Sequence, residues 1–313
     1  MKNKVQPNSA NLETTLPAAT TAALRDALAR PLAPGLHIVA TPIGNLADIT
    51  LRAIATLANA DLVYCEDTRH SRTLTAHFGI KSPLRSFHDH NADTVRPEIL
   101  AALGEGKRIA LISDAGTPLI SDPGYTLVRD ALAAGHAVHA VPGPCAAIAA
   151  LSIAGLATDT FLFAGFLPPK QQARRTRLAE LAAIDATLVF YEAPQRIAAT
   201  LQDMAGAFAI RTVVVARELT KLHEETRRGT AADLARPFDE GEHRGEFVIL
   251  VAPPAAPAAP SDAEIEIHVV EALRTMSVKD AARSVAEALN LPRSQIYDLA
   301  LRLKNAPPSG SAN

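Results

Sequence analysis

The chain has 313 residues, beyond the usual single-domain size of roughly 100 to 200, so two domains with a smaller third piece are expected. Hydrophobic residues at 48% and charged residues at 20% exclude a disordered scaffold, and a formal charge of -2 excludes a globally basic nucleic-acid coat while permitting local basic patches. Two cysteines, Cys65 and Cys145, are too few for a disulfide framework, and no cluster has zinc spacing, so a reduced cytoplasmic setting without a structural metal is expected. No stretch of about 18 consecutive apolar residues occurs, which leaves no candidate membrane-spanning helix.

Residues 1–34 are polar and rich in Ala, Thr and Pro, and read as a disordered tail without the apolar run of a secretory signal. From Leu36 to Ala252, short Val/Ile/Leu runs alternate with longer amphipathic stretches, the pattern of an α/β protein with a mostly parallel sheet. Strands are predicted at 36–40, 61–65, 108–113 and 137–141, then at 160–164, 186–191, 212–216 and 246–251. The two sets of four imply α/β domains at 35–154 and 155–252. Helical spacing recurs at Leu51, Ile54, Ala55, Leu57 and Ala58, and at Leu127, Val128, Ala131 and Leu132. Thr50 and Pro123 are predicted helix starts.

A Pro/Ala linker occupies 253–261. Three short helices are then predicted at 264–274, 277–289 and 293–304, the second opened by the Ser277/Asp280 box. The unit at 262–305 reads either as a helix-turn-helix, with Arg293, Ser294 and Gln295 placed to reach nucleic acid, or as a small packing bundle. A disordered tail is expected at 306–313.

In open α/β sheets ligands bind beyond the carboxyl ends of the strands, so the residues after each apolar run carry the information. The first such turn, TPIGNLADIT, has one glycine, and neither a dinucleotide fingerprint nor a P-loop fits it. Next comes Glu66-Asp67-Thr68-Arg69, either a helix cap with an ion pair or a constellation that positions a hydroxyl. His88-Asp89-His90 lacks a convincing metal spacing and reads as a solvated loop. The long, stiff SDAGTPLISDPG segment suits a ligand lying against backbone, and VPGPCA repeats the stiffness at the fourth strand. Cys145 there reads as a small packing residue rather than a nucleophile. In the second half, Lys170, Arg174, Arg175 and Arg177 either grip phosphates or form an exposed helix face. YEAPQR and RELTK put charge at two more strand ends.

Nine ordered segments, VATPIGNLADITLRA, EDTRH, HFGI, SDAGTPLISDPG, VPGPCAA, FAGFLPPK, FYEAPQR, RELTK and GEFVIL, resemble the ribosomal RNA small-subunit methyltransferase I family. That family comprises 16S rRNA (cytidine-2'-O)-methyltransferases of the tetrapyrrole-methylase fold. The sequence departs from its pattern at Cys145, where Ser is usual, and at Gln195, where His is usual. The resemblance implies S-adenosylmethionine bound between two α/β domains and methyl transfer to the ribose of a decoding-centre cytidine, position 1402 in family nomenclature. It places Pro42, Gly44, Ala115, Gly116, Thr117, Ile120, Cys145 and Ala146 on the cofactor wall, with Tyr191, Glu192 and Ala216 closing it. It further implies an assembled small subunit as substrate and a homodimer. Lys221, Glu218, Glu66, Asp67, Arg69 and Asp114 are unranked catalytic candidates, a carboxylate or a Lys of lowered pKa being suited to take the hydroxyl proton. A methylase acting on a tetrapyrrole or other small substrate and a non-catalytic regulator binding nucleic acid through 277–304 are the competing readings.

Overall fold

The computed structural model describes residues 9–238, 244–255 and 260–305. They fall into two compact units, 1–254 and 255–313, divided inside the expected linker. The tail expected at 306–313 lies outside the described residues.

The first half of the larger unit starts with helix α1 (Ser9–Ala29), where a disordered tail was expected. Leu24 and Leu32 pack against the core beneath α2 (Leu51–Asn59), and the Asn59 amide donates to Leu28 O at 3.0 Å. The segment is therefore held by tertiary contact, to which a reading of its Ala/Thr/Pro content was blind. Alternation then runs through β1 (Gly35–Val39), α2, β2 (Leu62–Cys65), α3 (Thr68–His77) and β3 (Leu84–Ser86). It continues with α4 (Ala92–Gly104), β4 (Arg108–Leu111), α5 (Tyr125–Ala133), β5 (Val138–Val141) and α6 (Ala146–Ala154). The sheet has the order β3-β2-β4-β1-β5, and every neighbouring pair is parallel. Thr50 caps α2 by accepting from Ala53 N–H at 3.0 Å, as its position predicts. The helix expected from Pro123 begins two residues later, after Gly124 at φ +129.

The second half contains β6 (Phe161–Phe166), α7 (Gln171–Ala182), β7 (Thr187–Glu192), α8 (Ile197–Phe208) and β8 (Val213–Arg217). After them come β9 (Glu225–Gly229), α9 (Ala231–Ala235) and β10 (Phe247–Val251). Its sheet order is β6-β7-β10-β8-β9. Here the expectation of a mostly parallel arrangement fails: only β6 and β7 are parallel, while β10 runs antiparallel to both β7 and β8, and β9 antiparallel to β8. The connection from Arg217 to Glu225 is too short for a crossover helix, so β9 must return antiparallel. The wholly buried run of β10 carries no sign of its direction.

Each half has buried clusters of its own, around Leu178, Phe190 and Ile249 in the second and around Val39, Val63 and Ile109 in the first, and a further cluster joins them. Helix α6, from the first, packs Ala147, Ala150, Leu151 and Ala154 against Val189, Val214, Ala216, Val248 and Leu250 of the second sheet. The boundary expected at Ala154 follows the strand count, and the joining cluster spans it within the compact unit 1–254.

The smaller unit comprises α10 (Asp262–Leu273), α11 (Val278–Leu289) and α12 (Arg293–Asn305), close to the predicted helices. Ser261 and Glu264 form a reciprocal capping box at α10, Ser277 caps α11 through Asp280 N–H, and Asn290 ends α11 at φ +49. Ile265, Val269, Val285 and Ile296 form the centre of its own core.

Candidate functional site

A cleft of about 360 Å³ opens where the loops after β1, β4 and β5 meet the ends of β7 and β10. The loops of its first wall are tied to one another by backbone. Thr41 and Gly116 exchange N–H···O bonds of 2.8 and 3.1 Å, the Thr41 hydroxyl donates to Ser113 O at 3.2 Å, and the Thr117 hydroxyl donates to Pro144 O at 3.0 Å. Gly116 has φ +83, and a Cβ there would meet Ile43 Cγ2 at 3.3 Å, so glycine is required for backbone reasons and for space. Leu119 and Ser121 sit at φ +73 and +62 in the same loop, and Glu218 and Thr220 at +52 and +66 in the loop after β8. Non-glycine residues in this region mark backbone held against its preference, as occurs at functional sites.

The opposite wall is fixed by a buried carboxylate. Glu192 accepts from the Thr200 hydroxyl at 2.6 Å and from Ala193 N–H at 2.9 Å, and Arg196 Nε lies 3.1 Å from Glu192 Oε1. Arg196 also donates to Leu167 O at 2.6 Å, joining the end of β7 to the loop after β6. Next to Glu192, the Tyr191 hydroxyl accepts Ala147 N–H at 3.1 Å, one of the orphan donors at the start of α6. Burial, with Cys145 beside it, pushes the Tyr191 pKa up, so the phenol stays protonated.

Of the expected cofactor wall, Ala115, Gly116, Thr117, Ile120, Ala146, Tyr191 and Glu192 line the cleft. Pro42, Gly44, Cys145 and Ala216 do not. Pro42 is buried behind the wall, and Ala216 belongs to the shared core under the cleft. Gly44 lies under the Lys221 side chain, whose methylenes occupy the space a Cβ would need. Cys145 stands at the N-terminal end of α6 without a side-chain capping bond and touches the site through Tyr191. The sequence reading missed Asp122, Phe166 and Glu246 as lining residues. SDPG was visible as a stiff loop, and only the fold shows which of its side chains turns inward.

The catalytic candidates separate. Asp67 caps α3 and chelates Arg69, with Arg69 Nη2 to Asp67 Oδ2 at 2.8 Å, which is the cap and surface ion pair; those bonds hold the Asp67 carboxyl down at about 2. Asp114 reaches the cleft and accepts Asp67 N–H at 3.2 Å. Glu66 lies outside the lining, its pKa raised by burial and then by Asp114 and Asp89. Lys221 donates to Glu218 at 2.9 Å and to Glu246 at 3.1 Å. Burial pulls its pKa down, but these two partners outweigh burial and leave the ammonium above its ordinary value. A Lys of lowered pKa is therefore not what the site contains. For Glu218 burial works upward, and the bonds from Lys221 and from Glu246 N–H hold it below the ordinary carboxylate value.

Among the RNA candidates, Arg174 is withdrawn from any phosphate. Its side chain is 4% exposed and pairs at 2.7 Å with a fully buried Asp203, which also takes Arg175 Nε at 2.7 Å. The pair pins α7 to α8. Arg177 meets Glu180 on the exposed face at 2.9 Å, and Lys170, at the start of α7, is exposed. Arg293 stands exposed at the start of α12 in the smaller unit. Among the described residues no group of three or more His, Cys, Asp or Glu could hold a metal, and no helix is long and apolar enough to cross a membrane.

Comparison with known proteins agrees with this architecture. A family model described as Tetrapyrrole (Corrin/Porphyrin) Methylases matches residues 35–235, and one for the RsmI C-terminal HTH domain matches residues 259–304. The chain is 52% identical over 279 residues to ribosomal RNA small subunit methyltransferase I of Erythrobacter litoralis, covering 89% of this chain and 99% of that protein. To the protein of the same name in Mesorhizobium japonicum it is 47% identical over 284 residues, covering 90% and 96%. Among solved structures, uroporphyrin-III-C-methyltransferase from Thermus thermophilus superposes with a TM-score of 0.52 at 21% identity, over 70% of this chain and 94% of that one, a likeness of fold. With about nine-tenths of the chain aligned to these relatives and both family models matched, the chain belongs to the ribosomal RNA small subunit methyltransferase I family.

Proposed function

We propose that this chain transfers a methyl group from S-adenosylmethionine to the ribose 2'-oxygen of a decoding-centre cytidine in the 16S rRNA of the small ribosomal subunit. The observation that carries the cofactor reading is the charge of the cleft. Asp114 and Asp122 line it without an ion pair among the described residues, and Glu192 and Glu246 line it with their Arg196 and Lys221 partners set behind the lining. A ligand bearing a sulfonium and an ammonium fits such a wall, whereas an anionic nucleotide does not. Gly116, Thr117 and Ala146 leave the backbone accessible for a flat adenosine group, and Phe166 and Tyr191 supply apolar surface from the other side. When bound, S-adenosylmethionine supplies a methyl group already activated by the positive sulfur.

What remains for the protein is positioning. The ties from Thr41 to Gly116 and from Thr117 to Pro144 set one wall, and the Glu192–Arg196–Leu167 chain sets the other, before any ligand enters. The relatives' names refer to small-subunit rRNA, and Lys170, Arg177 and Arg293 are the exposed cations that serve such a partner here. An assembled subunit is the preferred substrate, because a near-neutral protein depends on shape matching rather than bulk charge. A homodimer completes the proposal, to which the exposed Ile148 and Ile153 on α6 contribute apolar surface. Calorimetric titration tests the cofactor reading: micromolar binding of S-adenosylmethionine is expected, and no heat at millimolar ligand would reject it.

A further inference from the structure

Transfer of a methyl group to a neutral hydroxyl releases a proton, and the cleft offers few places for it. Glu192 is engaged by Thr200, Ala193 and Arg196; Glu246 pairs with Lys221; Asp114 receives Asp67 N–H. Asp122 differs. It lines the same cleft, and among the described residues its carboxylate has no hydrogen bond or ion pair. The preceding residues, Leu119 and Ser121, are held at positive φ, so the loop sets Asp122 in place without engaging its oxygens. We propose that Asp122 is the proton acceptor of the transfer reaction, an assignment that rests on the ribose 2'-oxygen reading above.

The step balances without another reactant. The bond between the 2'-oxygen and the methyl carbon forms, the carbon–sulfur bond breaks with its electron pair left on sulfur, and the hydroxyl proton passes to Asp122. The positive charge on sulfur and the negative charge on the carboxylate disappear together, so no net charge is created in the cleft. The groups that act on Asp122 come from several elements: Glu66 after β2, Asp89 after β3, Asp114 after β4 and Tyr191 on β7. Burial first, then the carboxylates of Glu66, Asp114 and Asp89, push Asp122 up to about 6. A base in that range is ionised at neutral pH and a better acceptor than an unperturbed aspartate. Neither Lys221, held charged, nor Glu218, held below its ordinary value, offers this.

The test compares wild type, Asp122→Asn, Asp122→Glu and Asp114→Asn in methyl transfer to 30S subunits between pH 5 and 9, with the methylated nucleoside identified by mass spectrometry. Wild-type kcat is expected to rise through an inflexion near or below 6. Asp122→Asn should lose about 100-fold or more in kcat together with the inflexion, while its Kd for S-adenosylmethionine moves less than about fivefold. Asp122→Glu should restore part of the rate and a shifted inflexion, and Asp114→Asn, which removes one of the carboxylates that raise Asp122, should keep an inflexion but move it to lower pH. A second readout does not depend on turnover: calorimetry of S-adenosylmethionine binding at pH 6, in two buffers of different ionisation enthalpy, should show proton release in wild type and less in Asp122→Asn. Equal proton release, or an unchanged rate and profile in Asp122→Asn with the methyl on the 2'-oxygen, would overturn the role of Asp122 and leave the 2'-oxygen reading standing. A methyl group found on the base would overturn both.

Discussion

Side chains in this protein divide by whether their charge is spoken for. Asp122 bears an unpaired charge, and its effect on stability has a definite sign. Its folded value of about 6 lies above the ordinary aspartate value, so the ionised form is disfavoured by folding. Below about pH 4 both states are protonated and the cost is absent; it grows as pH rises and is complete above about 6. Asp122→Asn should therefore melt higher than wild type at pH 7.5, by up to about 3 kcal/mol before solvent screening is allowed for, and no higher at pH 4. Paired thermal melts at the two values decide it, and an advantage equal at both would contradict the linkage. Arg174 is the opposite case: replacing it with Gln leaves the buried Asp203 with Arg175 and the Gln171 amide on one oxygen, and should cost about 2–4 kcal/mol in urea unfolding. Arg177→Gln, which removes one exposed ion pair, should stay within about 0.5 kcal/mol. Gly116→Ala should lower stability by about 1–2 kcal/mol through its positive φ and weaken S-adenosylmethionine binding as well; unchanged affinity would place the ligand elsewhere.

Elements were legible where a local signal matched a local cause. The apolar runs at 36–40 and 108–113, the Thr50 cap and the Ser277 box all gave the right element within a few residues, because each depends on periodicity or on one capping bond. Two strands left no such trace: β3 is three residues long, and β9 is a charged edge whose sequence ETRRG alternates exposure without apolar content. Helix α1 was read as a tail because its hold on α2 is tertiary. In the smaller unit, Ser277→Ala should cost about 1 kcal/mol by removing the acceptor for Asp280 N–H, seen as an earlier transition of α10 to α12. If the start of α12 meets phosphate, Arg293→Gln should lower the slope of log affinity for 30S subunits against log salt by about 1. Parallel lines for wild type and variant would shift that contact to Lys170 and Arg177.

At the scale of the molecule, the order of nine segments pointed to the family, while the cluster that joins the two sheets did not follow from any of them. Periodicity placed the strands but could not show that α6 is buried against the second sheet, or that β10 runs against its neighbours. For the same reason the loops expected to wall a ligand do border the cleft, while part of its lining was not anticipated: Asp122 and Glu246 come from distant parts of the chain and are brought to one cleft only by the fold. The central claim is that this acidic cleft serves methyl transfer to small-subunit rRNA. Tritiated-methyl transfer from S-adenosylmethionine, offered in parallel to 30S subunits, protein-free rRNA and porphyrinogens, tests it most directly. Label should enter 16S rRNA of the assembled subunit, in an alkali-resistant dinucleotide, and fall by at least about tenfold with free rRNA. Label in a porphyrinogen, or none in any acceptor from protein shown to bind the cofactor, would contradict the account.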